Sequence, residues 1–339
     1  MWRLVLLALC ACSYAIPTSD GLPAAPSPTE TAPDQMNPYD PPPRGPDGGS
    51  AQRCRGLVPP PSDEEVRIRT PDGRIRLAQV HVPRNYDPRV PMPLVLNFHG
   101  FLSNPWQQEI LSEMKQRSET RGFIVVYPQA SGEGLEPLSW NAGVCCPPAT
   151  DKQVDDVGFV RLLLDRLALT LCIDPARVYA TGMSNGGFFA YRLACELADR
   201  IAAVAPVAGQ SGLKTCTPAR PVPILHIHGT ADTLVPYGGG TPPLASNLRF
   251  PSVQESINGW VERNGCRPEP RTQLQLPDSR CVVYPGCRAE ATVMLCTVER
   301  GGHSWPGGPQ SLSFILGYTS PHLRASDLMI DFFLAHPRP

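Results

Sequence analysis

The 339-residue chain has no apolar run long enough to cross a bilayer, no cluster of Lys or Arg, and no repeated segment. A membrane-spanning helix takes roughly 20 consecutive apolar residues, and the early run Leu4-Val5-Leu6-Leu7-Ala8-Leu9 falls far short of that. With 30 Lys and Arg against 31 Asp and Glu the formal charge is −1. No basic face exists to neutralise a phosphate backbone, so nucleic acid is not expected as a partner. Cysteine is plentiful, yet no C-x-x-C pair has a second pair to complete a zinc site, and no metal is expected.

What is present at the start concerns compartment. Met1-Trp2-Arg3 puts one positive charge before the short apolar core, and Ser13-Tyr14-Ala15 places small residues as a signal peptidase needs. Residues 1–15 are expected to be an export signal. Leu9-Cys10-Ala11-Cys12 has the form of a lipoprotein box, in which Cys12 would carry a lipid anchor to the cell envelope. Cys10 inside the box favours plain secretion, and that anchor is the one membrane link the chain offers. Prolines punctuate residues 16–53 and leave almost nothing apolar to bury, so this stretch is expected to be a disordered, semi-extended spacer. Residues 54–339 have the length of a single α/β catalytic domain.

Of the 12 cysteines, Cys10 and Cys12 belong to the leader, and the remainder is an even set in an exported chain. Disulfides are the default. Cys281 and Cys296 lie in short runs suited to neighbouring strands. Cys195 with Cys216 would close a loop of about 20 residues, a constraint contributing roughly 3 kcal/mol in the chain-entropy account. Cys266 with Cys287 is a third pairing. The adjacent Cys145 and Cys146 are expected to take separate partners, such as Cys54 and Cys172, rather than each other.

The domain opens with alternating residues on either side of Pro71-Asp72-Gly73, Val66 to Arg69 and Ile75 to Val82, which predict an antiparallel hairpin. Near-continuous apolar runs at 93–98 and 122–128 predict strands buried on both faces. Asp155 and Asp156 are read as caps of a helix with apolar residues at Val157, Val160, Leu163, Leu164 and Leu167. Further strands are expected over 201–207, 222–228 and 292–298, with helices over 253–262 and 325–334. Strands alternating with helices predict an α/β class with a mostly parallel central sheet, helices on both faces and the hairpin at one end. This is the element order of the α/β-hydrolase fold.

One pentapeptide in this frame carries chemistry. Gly182-Met183-Ser184-Asn185-Gly186 follows the strand-like run Arg177 to Thr181 and precedes a helix-like segment. Strand, tight glycine-flanked turn and helix make a nucleophile elbow, which holds a serine hydroxyl at the carboxyl edge of a sheet. Serine alone is a weak nucleophile and needs a base, which in turn needs an acid. In this fold the chain order is serine, acid, histidine. Among the histidines after Ser184, His226 and His228 alternate within a strand and read as structural residues at the sheet edge. His336, beside a terminal Pro-Arg-Pro, reads as exposed. His303 stands in a glycine-rich loop, Gly301 to Gly308, directly after a strand, and is the candidate base. Asp232, just beyond the strand containing His226 and His228, is the candidate acid, with a turn-forming role beside it. Backbone N–H groups of Asn185 and Phe101 are the candidate oxyanion hole, with His99 as a buttress of the Phe101 loop. Trp305 and Trp140, with Trp106 and Phe101, are candidates for an aromatic wall against the acyl group.

These segments together, Asn97 to Gly100, Trp140 to Gly143 leading into Cys145-Cys146, Val154 to Val157, Gly182 to Gly187, His228 to Asp232 and Gly302 to Gly307, resemble the secreted polyhydroxybutyrate depolymerase and feruloyl esterase group, which includes carbohydrate esterase family 1. The likeness runs from about Cys54 to the end. It implies carboxylic-ester hydrolysis through an acyl-enzyme and carries over Ser184, Asp232 and His303 as the triad. The spacer, Cys172 and Cys281 lie outside the pattern, so no disulfide set is borrowed from it. A feruloyl or acetyl ester of plant-wall polysaccharide is the favoured substrate, with a hydroxyalkanoate polyester as the alternative. A peptidase on the same fold is disfavoured, because a large extra domain to gate peptides is not seen in the sequence, and a non-catalytic binding protein would have lost a triad member. A cofactor-free monomer is expected.

Overall fold

The computed structural model describes residues 54, 56–58, 60–132, 134–242, 248–309 and 316–339. The export signal, the Cys12 box and the proline-rich spacer lie outside the described residues. The chain divides into two units, Met1–Pro38 and Tyr39–Pro339, and every described residue belongs to the second.

The elements begin with β1 (Asp63–Arg69), β2 (Ile75–His81), β3 (Met92–Phe98), α1 (Pro105–Ser112), α2 (Met114–Arg121), β4 (Ile124–Pro128) and α3 (Asp156–Ala168). There follow β5 (Ile173–Met183), α4 (Asn185–Glu196), β6 (Val204–Val207), β7 (Ile224–Gly229) and α5 (Val253–Asn264). The last are β8 (Arg271–Leu276), β9 (Ser279–Tyr284), β10 (Val293–Val298) and α6 (Ala325–Leu334). One ten-stranded sheet results, in the order β1-β2-β4-β3-β5-β6-β7-β10-β9-β8. Its strands from β4 to β10 run parallel, and antiparallel pairs close both ends. The predicted N-terminal hairpin is β1–β2.

Side-chain alternation explains the layers. In β3, Leu94, Leu96 and Phe98 enter one core and Val95 the other; in β4, Ile124 and Val126 part from Val125 and Tyr127 in the same way. Strands buried on both faces need helices on both. The first core takes α3, α4 and α5 through Phe159, Phe189 and Trp260; the second takes α6 through Met329, Phe332 and Phe333. No helix among the described residues is long and apolar enough to cross a membrane.

Two short helices and β8 escape prediction. In α2, Met-Lys-Gln-Arg-Ser-Glu-Thr-Arg, only Met114 and Ser118 are buried, so no apolar stripe announces it. The caps differ from expectation too. Asp155 caps α3 by accepting from the Gly158 N–H at 2.8 Å. Asp156 does not cap; fully buried, it accepts from Arg76 Nη2 and the Asn141 N–H, both at 2.7 Å.

Five disulfides tie the domain. Cys195–Cys216, Cys266–Cys287 and Cys281–Cys296 form as predicted, the last joining directly opposed residues of β9 and β10. Cys145 and Cys146 do not take separate partners. They bond to each other, and Cys54 bonds to Cys172. The partners expected for them are taken up by each other, and the Cys145-Cys146 loop is held by Ala142 N–H donating to Cys145 O and Cys146 N–H to Trp140 O.

Candidate active site

β5 ends at Met183 and α4 begins at Asn185, leaving Ser184 alone at the corner with φ 56° and ψ −122°. An L-residue held at positive φ stores roughly 1–3 kcal/mol and persists only where neighbours over-determine it. They do so here: Ser184 N–H donates to Val207 O on β6, and Ser184 O accepts from Phe188 N–H, both at 2.9 Å. The flanking glycines are required by packing. A Cβ on Gly182 would lie 2.6 Å from Phe98 O, and one on Gly186 only 2.2 Å from the same oxygen.

Asp232 follows β7 and His303 follows β10. Because β5, β6, β7 and β10 are consecutive parallel neighbours, Ser184, Asp232 and His303 all leave the sheet at its carboxyl edge. The two loops are laced together, with Thr230 N–H donating to Val298 O at 2.9 Å and Ala231 N–H to Gly301 O at 2.8 Å. His303 Nδ1 lies 2.7 Å from Asp232 Oδ2, both residues being 5 % exposed. Asp232 Oδ1 accepts from the N–H groups of Leu234 (2.9 Å) and Val235 (2.8 Å), so the carboxylate also shapes the turn, as expected. Burial pushes this carboxyl upward. The charge of His303 and the hydrogen bonds from His228 and His303 outweigh it, holding Asp232 well below the usual carboxylate range and therefore ionised.

The loop after β3 closes over the elbow. A Cβ on Gly100 would sit 3.4 Å from the Ser184 Cβ, which places the Gly100–Phe101 segment beside the serine. Asn185 supplies the first amide of α4, a donor with no intrahelical acceptor. His99 buttresses this loop as predicted. Its Nε2 accepts from Ala130 N–H at 3.0 Å, so Nδ1 carries the proton and donates to Gly100 O at 2.8 Å. Burial drives it down to about 4, against the Gly100 hydrogen bond, so the ring stays neutral.

The aromatic wall is a correction. Trp140 and Trp305 are 0 % and 1 % exposed and present no face to a substrate. Trp140 stacks on Phe189 at 5.0 Å and donates its indole N–H to His99 O at 3.0 Å. Trp305 packs in the second core with its N–H on Ser326 Oγ at 3.0 Å. Trp140 serves the site from within instead. The Asn185 side chain accepts from Trp140 N–H (2.7 Å) and donates to Trp140 O (3.0 Å), clamping that loop to the residue after Ser184. Phe101 is half-buried and Trp106 exposed.

The remaining histidines separate. His226 and His228 are buried in β7, an interior strand of the sheet, and His228 Nε2 approaches Asp232 Oδ2 at 3.3 Å. His322 is exposed. His336 is not exposed as predicted; its ring packs on Phe332 at 4.3 Å and Nε2 lies 2.9 Å from Thr292 Oγ1. Arg76, beneath the site through Asp156 and Asn141, carries no signal in its own segment. Among the described residues, no group of three or more His, Cys, Asp or Glu side chains is placed to hold a metal ion.

No protein-family model matches the chain. It is 30 % identical over 352 residues to the putative esterase NocK of Nocardia uniformis subsp. tsuyamanensis, covering 97 % of this chain and 96 % of that protein. It is 33 % identical over 236 residues to feruloyl esterase B of Piromyces equi, covering 68 % of this chain. The chain spans 42 % of that relative's length. A bifunctional acetylxylan esterase/xylanase, XynS20E of Neocallimastix patriciarum, is 33 % identical over 165 residues, 49 % of this chain and 22 % of that protein. Among solved structures, the acetyl xylan esterase from Aspergillus awamori superposes with a TM-score of 0.51 at 15 % identity, covering 72 % of this chain and 94 % of that one. At that identity the likeness is one of fold, and the shared fold is that of the α/β-hydrolase esterases.

Proposed function

We propose that this chain, which belongs to the feruloyl esterase-like group of α/β-hydrolase esterases, cleaves feruloyl or acetyl esters of plant-wall polysaccharide through an acyl-enzyme on Ser184. The observation that carries the reading is the hydrogen-bonded His303–Asp232 pair, set on the same sheet edge as the strained Ser184 corner. With Nδ1 committed to Asp232, Nε2 of His303 is the free base. It takes the Ser184 proton as Oγ attacks the ester carbonyl. The N–H groups of Asn185 and Phe101 hold the resulting oxyanion, and the ionised Asp232 stabilises the imidazolium. His303 then protonates the departing alcohol. Water, deprotonated in turn by His303, attacks the acyl carbon and releases the acid and Ser184. Five disulfides support export as the setting for this chemistry.

A fluorophosphonate probe should label the parent protein and leave Ser184→Ala unlabelled, and kcat for a soluble aryl ester should fall on the order of a million-fold in that variant. Label retained by Ser184→Ala, or carried by another residue, overturns the assignment. Rates on methyl ferulate, acetylated xylan and polyhydroxybutyrate film rank the substrates. A polyester rate above both carbohydrate esters would replace the substrate named here.

A further inference from the structure

Behind Asp232 runs a line of buried polar side chains that the proposed reaction does not use. Tyr191 Oη on α4 lies 2.9 Å from His226 Nδ1, and His226 Nε2 lies 3.1 Å from His228 Nδ1. His228 Nε2 then meets two oxygens, Val235 O at 2.8 Å and Asp232 Oδ2 at 3.3 Å. All three side chains are 1 % exposed or less. The line ends on the same carboxylate oxygen that His303 uses.

We propose that His228 is a positioning residue for the acid, donating a second hydrogen bond to Asp232 Oδ2 from a tautomer that His226 and Tyr191 lock in place. The proposal rests on the Ser184–Asp232–His303 reading above. The direction of the line follows from its acceptor end. A peptide carbonyl and a carboxylate only accept, so His228 Nε2 bears the proton. In this tautomer Nδ1 of His228 is bare and accepts from His226 Nε2–H. The bare Nδ1 of His226 in turn accepts from the Tyr191 hydroxyl. Every N–H and O–H points toward Asp232. Burial holds His226 well below its usual value and so in the neutral form this requires.

The consequence for the acid is geometric. Its carboxylate is approached from all sides: Leu234 and Val235 N–H donate to Oδ1, and on Oδ2 His303 Nδ1 lies at 2.7 Å and His228 Nε2 at 3.3 Å. A carboxylate so surrounded cannot turn about its Cβ–Cγ bond, and the lone pair that meets His303 stays aimed. The His228 ring is fixed in turn by Tyr237, packed edge-on at 5.8 Å with its hydroxyl 2.9 Å from Thr297 Oγ1, and by the stacked His226 ring at 5.2 Å.

His228→Leu and His228→Gln separate positioning from packing. Leu fills the space and donates nothing. Gln offers a carbonyl to His226 and an N–H to Val235 O and Asp232. On 4-nitrophenyl acetate, His228→Leu should lower kcat by about 10- to 100-fold with KM unchanged, as a misplacement of ~1 Å does. The far-downfield proton resonance of His303 Nδ1–H should shift or broaden with it, and His228→Gln should restore most of both. A His228→Leu enzyme whose melting temperature falls while kcat and the resonance hold overturns the proposal, as does a folded Gln variant no better than Leu. Should Leu fail to fold, Tyr191→Phe keeps the ring and removes only the terminal donor; parent values of kcat and resonance there also overturn it. His303→Ala is the control. Full activity in that variant sinks the triad itself, whereas a dead His303→Ala beside an unchanged His228→Leu sinks only the role of His228.

Discussion

Replacing Arg76 by Met should unfold this protein more easily than any change to a surface ion pair. Arg76 Nη2 lies 2.7 Å from Asp156 Oδ1 and 3.1 Å from Gln129 O, with side chains 4 % and 0 % exposed across the pair. The guanidinium also covers the Phe159 ring at 4.2 Å, a contact that a Met side chain largely keeps. What Met removes is the countercharge. Breaking one half of a buried pair costs about 3–5 kcal/mol, because the other charge stays behind unpaired. Against a total stability of roughly 5–15 kcal/mol that is a large fraction. Burial already pushes the Asp156 carboxyl upward, with Arg76 and the Asn141 N–H opposing. Without Arg76 it rises further, and the native state of the variant binds a proton that the unfolded chain does not. Stability of Arg76→Met should therefore increase as pH falls through the raised folded pKa, and decline as pH rises through it. Adding Asp156→Asn removes the stranded charge and should recover most of the loss. Urea midpoints with the disulfides intact measure all of this. Arg161→Met is the control, since its pair with Asp199 has side chains 43 % and 52 % exposed and is worth about 0–1 kcal/mol. A loss in Arg76→Met no greater than in the control, or no recovery in the double variant, refutes the reasoning. Activity per folded molecule should fall as well, because Asp156 holds Asn141 N–H, next to the Trp140 backbone that Asn185 clamps.

His99 makes a pH prediction of its own. Its folded value of about 4 lies below the usual ~6.5 of histidine, so the unfolded state takes the proton first and stability drains as pH falls from ~6.5 to about 4, by about 3 kcal/mol at the full shift. His99→Gln, followed by urea midpoints across that window, should flatten the slope; an unchanged slope removes His99 as its source. The Cys54–Cys172 disulfide spans 118 residues and Cys266–Cys287 spans 21, worth about 5 and about 3 kcal/mol in the chain-entropy account. Serine at Cys54 and Cys172 should therefore lower the melting temperature more than serine at Cys266 and Cys287, and the reverse order contradicts the entropic origin.

The residues that would do the chemistry and the residues that hold them differ in how the chain encodes them. Ser184 is legible because its corner is a local matter. Gly182 and Gly186 are spelled out beside it, and each is needed where Phe98 O leaves no room for a Cβ. Asp232 and His303 are legible for a related reason: each directly follows a buried strand, and a parallel sheet gathers such positions at one edge. Trp140 and Trp305 misled because residue type carries no direction. The same indole suits a substrate wall or a core, and only the folded loop shows that one N–H ends on His99 O and the other on Ser326 Oγ, with no ring face left over. Asp156 looked like a cap because its partner stands 80 residues earlier in β2, where nothing nearby hints at a countercharge. The cysteines divide along the same line. Cys281 and Cys296 are opposed by strand pairing, which periodicity reveals, whereas Cys54 and Cys172 are 118 residues apart and meet only in the finished fold. His226 and His228 sit between these cases. Alternation in a strand puts both rings on one face, so their contact is foreseeable from spacing alone. Tyr191 at one end and Asp232 at the other come from different elements, and it is those two contacts that turn a pair of buried histidines into a support for the acid.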